Sequence, residues 1–239
     1  MSNTVLHRMH SAARGATPRG FVENILLRTH VLCVRTDQVV AHPELFKSIV
    51  IKLKGLPFEK SLHGKSMARL PRIWNTFIRC INVPGDIVEF GVFEGVVSLM
   101  FALAIKELGI DKRVHLFDSW QGLPESSEVD APCFEKGQYR APIDALRQRI
   151  LLLDVGRQIV MHPGLFEDTL SELDPQVSEL RFSFAHLDAD LYASTKVCLE
   201  FCKPRMSPGA YLRFDEIHHS GPRLASEEVL GWAQEFVRF

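Results

Sequence analysis

Acidic residues close four apolar stretches of this sequence. Glu89 lies in DIVEF, Asp118 follows VHLF, Asp188 follows FSFAHL and Asp215 follows AYLRF. Short apolar runs bounded by Gly and Pro are typical of buried strands, and in an open parallel sheet ligands bind outside the carboxyl ends of the strands. Because four carboxylates gathered at one edge repel each other, the pattern indicates a site for a cation or a hydroxyl-rich ligand.

The last two of these acids have acidic neighbours, in Asp188-Ala-Asp190 and in Asp215-Glu216. A set of oxygen ligands suits a hard ion such as Mg2+, which takes one or two carboxylates and keeps some of its waters. Asp190 also has a purely structural interpretation, because it precedes a predicted helix and its carboxylate can cap the helix N-terminus. Both interpretations stay open at this point.

A glycine turn follows the first acidic strand, with Glu89, Gly91 and Gly95 spaced as E-x-G-x-x-x-G. Such a turn lets the backbone approach a ligand closely and directs helix N–H groups toward it. The spacing differs from the G-x-G-x-x-G of dinucleotide folds. Taken alone, it predicts an ordinary strand–helix turn as readily as a cofactor loop.

The elements that must position these residues alternate between strands and helices. This alternation predicts an α/β fold with a Rossmann-like, doubly wound and mostly parallel sheet. The predicted strands are 86–90, 114–118, 159–161, 182–187 and 210–214. The predicted helices are 96–108, 143–153, 170–173, 194–202 and 225–236, and residues 130–139 are predicted to form a loop.

The sequence before this alternation has helical periodicity. Residues 1–16 are expected to be loose, and the apolar positions of 17–82 recur at helical spacing. These positions are Phe21, Ile25, Leu26 and Val31, then Leu45, Ile49 and Leu53, then the stretch 70–81. We therefore expect two parts, an N-terminal helical extension or lid (1–82) and a Rossmann-like catalytic domain (83–239).

Composition narrows the function classes. The formal net charge of −1 favours neither nucleic-acid nor membrane binding. The basic residues Arg14, Arg19, Lys60, Lys65 and Arg69 are interpreted as a solvated helical face rather than a phosphate or lipid patch. The five cysteines form no CxxC pair, and Cys198 and Cys202 are expected to pack as small apolar side chains. Because the sequence has no signal-peptide core and no apolar run of membrane-spanning length, a cytoplasmic location is expected.

Five motifs, taken together, resemble the macrocin O-methyltransferase (TylF-type) family. They are PGDIVEFGVFEG, VHLFDSWQGLPE, HPGLFEDTL, HLDADLYASTK and PGAYLRFDE. The resemblance extends from about Arg69 to Glu216, about three fifths of the chain. The resemblance implies an S-adenosylmethionine-dependent and metal-dependent enzyme that methylates a hydroxyl of a sugar or related small metabolite. It is also compatible with a homo-oligomer.

The resemblance also implies roles for individual residues. The methionine end of the cofactor is expected along Glu89, Gly91 and Gly95, and the ribose hydroxyls near Asp118, Ser119, Gln121 and Gly122. The matched metal ligands are Asp188, Asp215 and Glu216, and Asp190 matches the proposed general base. Such a site would lower the pKa of the acceptor hydroxyl, take its proton and direct the oxygen at the sulfonium methyl group.

Three features depart from the family pattern. Glu216 stands where most relatives have Asp, and Arg213 lies in a usually apolar strand position. The sequence ends at Phe239, just where a further strand is expected to begin at Val237, so the closing strand pair is expected to be missing. These departures motivate one alternative, a cofactor-binding homologue without turnover.

Two further interpretations stay open. The D-x-D of residues 188–190 is also found in metal-dependent glycosyltransferases, although these do not require the glycine turn or the second acidic pair.

His218 and His219 follow the second pair and could line the acceptor pocket or supply a base, or they could simply be polar loop residues.

Overall fold

The computed structural model describes residues 40–61, 65–173 and 179–239. The apolar stripe predicted for residues 21–31 lies outside the described residues, as do the loose segment 1–16 and the break at His63–Gly64. None of the described helices is both long enough and apolar enough to cross a lipid bilayer.

The fold is a six-stranded sheet with helices on both faces. The helices are α1 (Pro43–Lys54), α2 (Lys65–Arg79), α3 (Val96–Leu108), α4 (Ile143–Leu153), α5 (Phe166–Leu173), α6 (Tyr192–Cys202) and α7 (Ser220–Leu230). The strands are β1 (Asp86–Phe90), β2 (Val114–Asp118), β3 (Ile159–Pro163), β4 (Phe182–Leu187), β5 (Met206–Phe214) and β6 (Phe236–Arg238).

The strand order is β3-β2-β1-β4-β5-β6. The first five strands are parallel, and β6 runs antiparallel to β5. The chain reverses its winding direction between β1 and β4, so a crevice opens at their carboxyl ends. The predicted mostly parallel, doubly wound sheet is therefore confirmed.

Two hydrophobic clusters cover the two faces of the sheet. One joins Ile87 and Phe184 to helices α1 to α4, and the other joins Val88 and Leu187 mainly to α5 and α6. Neighbouring strand residues enter opposite clusters because side chains alternate between the faces of a strand. Since α1 and α2 share a core with α3, the described part of the N-terminal segment packs directly on the sheet.

Several element boundaries differ from the prediction, and the differences follow from local chemistry. Helix α7 begins five residues before the predicted Ala225, since Pro222 lies in the first turn, where its missing N–H costs nothing. It ends at Leu230 because Gly231 adopts a left-handed conformation with φ 84°. The prediction of a helix reaching Phe236 was wrong.

Four other elements, β3, α5, α6 and β5, are longer than predicted. Strand β3 extends to Pro163, helix α5 begins at Phe166, and helix α6 begins at Tyr192. Strand β5 begins at Met206, because the predicted Ser207–Gly209 turn forms a bulge between two paired stretches.

A closing strand is present beside β5. Residues 236–238 pair antiparallel with 211–213, and the buried Arg213 side chain contacts Glu235 at 2.6 Å. Arg213, the charged residue at a usually apolar position of β5, is therefore paired with the acid Glu235 on the segment before β6. We expected the pair of strands that closes the sheet beside β5 to be missing. This expectation was wrong for one strand of the pair, because β6 is present.

Gly91 allows the chain to turn directly beside β4. Its φ is 83°, and a Cβ atom built there would lie 1.9 Å from the carbonyl oxygen of Asp188. Only glycine tolerates both the left-handed conformation and this approach. The turn after β1 therefore lies against the backbone that carries the D-x-D motif.

We expect Gly91→Ala to lower the free energy of unfolding by about 3 kcal/mol or more, through a backbone clash added to left-handed strain. Gly109→Ala is the matched control, because Gly109 has φ 63° but no atom within 4 Å of its built Cβ. The control should lose only about 1 kcal/mol. Chemical denaturation of both variants measures the difference, and equal losses would contradict the close approach.

Candidate functional site

One cavity of about 380 Å³ lies at the carboxyl ends of the strands. It is lined by the β1–α3 turn, the segment after β2, the loop containing Tyr139, and the ends of β4 and β5. Its size is within the range of small-molecule and cofactor sites. The sheet therefore carries a cavity where the strand-end acids predicted a ligand.

The cavity gathers most of the residues predicted from the sequence. Eight of the eleven line it, namely Gly91, Asp118, Ser119, Gly122, Asp188, Asp190, Asp215 and Glu216. Gln121 is exposed, and Gly95 packs against Leu146, where a built Cβ would lie 2.4 Å from its Cδ1. Glu89 is 2% exposed and lies behind the cavity wall.

Glu89 has partners within the protein. Its carboxylate accepts a hydrogen bond from Ser98 Oγ and lies 3.1 Å from His186 Nδ1. The fully buried His186 places its Nε2 3.9 Å from Asp215 Oδ1, so the imidazole stands between two acids. A direct contact between Glu89 and a cofactor stays a prediction.

Asp118 organises the turns around the cavity. Its Oδ2 accepts the backbone N–H groups of Val92 and Phe93 at 2.7 and 2.8 Å, and its Oδ1 accepts that of Trp120 at 2.6 Å. Ser119 Oγ in turn donates to the Gly122 carbonyl. The carboxylate that is expected near a ribose thus also holds the two glycine-containing turns together.

Arg69 lies in the acid cluster, which the sequence did not predict. Its Nη1 lies 3.1 Å from Asp188 Oδ2 and also contacts Asp215 Oδ2. The interpretation of Arg69 as part of a solvated face was wrong. No local pattern marks the contact, because the partners lie 119 and 146 positions away along the chain.

The acids of the cluster have different proton affinities. Burial raises the pKa of Asp188, and the neighbouring Asp215 raises it further. Burial and the charge of Asp188 also raise the pKa of Asp190. Asp215 differs, because His186 and Arg69 outweigh its burial and lower its pKa. The carboxylates of Asp215 and Glu89 outweigh burial and raise the pKa of His186 to about 9, so the imidazole is a cation at neutral pH. The negative charge is therefore concentrated on Asp215, the acid that His186 and Arg69 both contact.

Several non-glycine residues around the cavity have left-handed backbone conformations. Phe93, Tyr139 and Asp190 line it with φ values of 54°, 59° and 59°. Backbone strain of this kind is concentrated at functional sites, where the surrounding structure holds it in place. Since Asp190 is itself left-handed, it does not act as the N-cap of α6, which is Leu191. The capping interpretation of Asp190 is therefore not supported.

Two aromatic residues beside the turns differ in their exposure. Trp120 is buried and donates its Nε1–H to the Phe93 carbonyl, so it belongs to the core. Phe93 lines the cavity and packs edge-on against Tyr139, with ring centroids 6.1 Å apart. Of the two, only Phe93 is available to contact a ligand.

The acid cluster contains oxygen donors that are close enough together to bind one cation. Oxygen atoms of Asp188, Asp215 and Glu216 lie within 4.8 Å of one another, and a guanidinium group already contacts two of these acids. A set of three carboxylates is the donor set that Mg2+ and similar hard ions prefer. The residues therefore fit a divalent cation.

Solved structures with a similar fold include methyltransferases. The fold is similar to the solved structure of the O-methyltransferase NovP, with a TM-score of 0.63 and 21% identity over 82% of this chain and 96% of that chain. At this identity the likeness concerns the fold. The fold class predicted from the sequence is confirmed.

Residues 58–229 match the family model of macrocin-O-methyltransferase (TylF), and the chain belongs to this family. It is 36% identical over 146 residues to a rhamnosyl-tetracenomycin-C 4'-O-methyltransferase of Streptomyces olivaceus. It is 31% identical over 148 residues to mycinamicin III 3''-O-methyltransferase of Micromonospora griseorubida. These alignments cover 56% of this chain, which spans about half the length of these curated relatives (54% and 56%).

A buried acid attaches the α1–α2 connection to the turn after β1. Glu94 is 4% exposed, and its carboxylate accepts the backbone N–H groups of Glu59, Lys60 and Ser61 at 2.6–3.0 Å. Arg149 supports the same connection, since it donates to the Pro57 carbonyl. Lys60 and Ser61 line the cavity, so Glu94 determines the position of one cavity wall.

We expect Glu94→Gln to destabilise the protein by about 1–3 kcal/mol at neutral pH, because an amide replaces a buried charged acceptor. The hydrogen bonds outweigh burial and lower the Glu94 pKa below its ordinary value of 4.5. The stabilisation is therefore present above pH about 4.5 and lost as pH falls through the folded-state pKa.

Thermal unfolding of wild type and Glu94→Gln across pH 3–8 tests this expectation. The stability difference should shrink toward the acidic end. A difference that is independent of pH would show that the Glu94 charge is not responsible.

Proposed function

We propose that this protein is an S-adenosylmethionine-dependent O-methyltransferase that is assisted by Mg2+ or another divalent cation. Membership in the TylF family supports the reaction class. The observation that carries the proposal is the shared cavity, which is lined both by the Gly91 turn with Asp118 and by the acid cluster. Family membership favours this reaction over a glycosyltransferase with a D-x-D motif.

In this proposal the cofactor binds along the turns after β1 and β2. Gly91 lines the cavity, and its left-handed conformation lets the backbone turn there against Asp188. Asp118, Ser119 and Gly122 line the adjacent wall and would meet the ribose. Glu89 and Gly95 would act from behind this wall, by fixing Ser98 and the start of α3. Gln121 would contact the cofactor only from the exposed rim.

Asp188, Asp215 and Glu216 would hold the divalent cation. When bound, such an ion orients an acceptor hydroxyl and lowers its pKa. Burial and the neighbouring acids raise the pKa of Asp190 to about 9. A cation held by these acids would offset their charge and favour the ionised carboxylate, which would then accept the proton of that hydroxyl. The positive charge of Arg69 opposes this shift and keeps the carboxylate closer to its ionised form.

The acceptor is proposed to be a hydroxyl of a sugar or a glycosylated small metabolite. One relative is named for a rhamnosyl compound, and both relatives compared above are named as O-methyltransferases. In the proposed division into an N-terminal segment 1–82 and a catalytic domain 83–239, the described residues 40–61 and 65–82 would act as the lid. Lys60 and Ser61 in the cavity wall and Arg69 in the acid cluster support this role.

The first test is thermal unfolding with S-adenosylhomocysteine, with and without Mg2+. Ligand at 100 times its Kd stabilises a protein by about 2.7 kcal/mol. We expect stabilisation by the nucleoside and a further increase with Mg2+. Failure of S-adenosylhomocysteine to stabilise the protein would contradict the proposed function.

Asp188→Ala should abolish methyl transfer and the Mg2+-dependent increase while preserving stabilisation by S-adenosylhomocysteine. The reason is that this change removes an oxygen donor and leaves the turns after β1 and β2 unchanged. Methyl transfer assays with sugar-containing acceptors and the same unfolding measurements check it. Full activity of the variant would contradict the metal assignment.

Arg69→Gln should lower stability without metal and enlarge the stabilisation by Mg2+. The guanidinium neutralises Asp188 and Asp215, so its removal leaves repelling acids and removes a competing cation. Arg72→Gln, at an exposed position of the same helix, is the matched control. Unfolding temperatures measured over a Mg2+ titration distinguish the two, and identical curves would contradict competition at the acid cluster.

A further inference from the structure

A second group of donor atoms adjoins the acid cluster. The Nε2 atoms of His218 and His219 lie 3.2 and 3.1 Å from the same oxygen, Oε2 of Glu216. Donor atoms of the three residues all lie within 4.8 Å of one another. The His218 side chain is 69% exposed, so an ion can reach the group from solvent.

The donor chemistry of this group differs from that of the acid cluster. Two imidazole nitrogens with one carboxylate oxygen form a set that suits Zn2+ and neighbouring transition metals, whereas carboxylates alone suit Mg2+. Bonds of about 2.0–2.1 Å in a tetrahedral site place the donor atoms about 3.3 Å apart. The two separations in this group are close to that value.

The two histidines lie side by side at this oxygen. Their ring centroids are 4.3 Å apart, and the ring planes are tilted by 36°. His219 is also supported by Phe134, whose ring packs edge-on against it at 5.0 Å.

We propose that Glu216, His218 and His219 form a second cation site, which takes a borderline transition metal such as Zn2+. The fourth position of a tetrahedral ion would be open to water, as in other sites with three protein ligands. Because Glu216 belongs to both groups, an ion held by the histidines competes with the acid cluster for its carboxylate. Zn2+ binding at this site does not depend on methyltransferase activity.

The test uses the purified full chain after removal of metals with a chelator. Zn2+ alone is titrated by calorimetry, and Co2+ alone by visible absorption, which reports tetrahedral coordination. The variants are His218→Asn, the double variant His218→Asn/His219→Asn, and Asp188→Asn. The matched control is His42→Gln, at an exposed histidine preceding α1.

We expect wild type, His42→Gln and Asp188→Asn to bind one Zn2+ with similar affinity. His218→Asn should weaken binding at least about tenfold, and the double variant should lose it together with the Co2+ absorption bands. Because the His218 side chain is exposed, His218→Asn is expected to fold normally. The test therefore remains valid even if the double variant folds poorly.

Two results would overturn the proposal. One is Zn2+ affinity that is unchanged in both histidine variants. The other is Zn2+ affinity that is lost in Asp188→Asn, which would place the ion in the acid cluster. A failure of S-adenosylhomocysteine binding leaves these outcomes unaffected, so the two proposals fail separately.

Discussion

Repulsion between carboxylates at the carboxyl edge of the sheet is the constraint on which this site depends. Two cations from different elements oppose it: His186 in β4 stands between Glu89 and Asp215, and Arg69 in α2 contacts Asp188 and Asp215. Burial strengthens each of these interactions and makes an unpaired charge costly. The acids are therefore held together by charges that come from both the sheet and the N-terminal helices.

This constraint links three strands and a helix into one unit. Glu89 is in β1, His186 in β4, Asp215 directly after β5, and Arg69 in α2. Gly91 contributes by letting the turn after β1 lie against Asp188. A change in any of these positions would therefore move the oxygen atoms on which the proposed chemistry depends.

Sequence patterns were sufficient for the sheet and for most of the cavity. Strands 86–90, 114–118 and 182–187 were predicted with the observed ends, because each is a mainly apolar run with an acid at or beside its carboxyl end. The position of Asp118 and Asp188 at one edge then followed from the parallel topology. Contacts between distant segments could not be predicted in this way. Arg69 has no local signal, and the acid Glu89 points to a buried histidine rather than to the cavity.

The left-handed residues of the cavity have a consequence for engineering. Phe93, Tyr139 and Asp190 each hold a conformation that costs about 1–3 kcal/mol outside glycine. Glycine at these three positions would remove the left-handed strain, at the cost of a larger conformational entropy of the unfolded chain. Each replacement would also remove a side chain from the cavity wall. In this protein, relief of backbone strain and an intact binding surface are opposing demands on the same three positions.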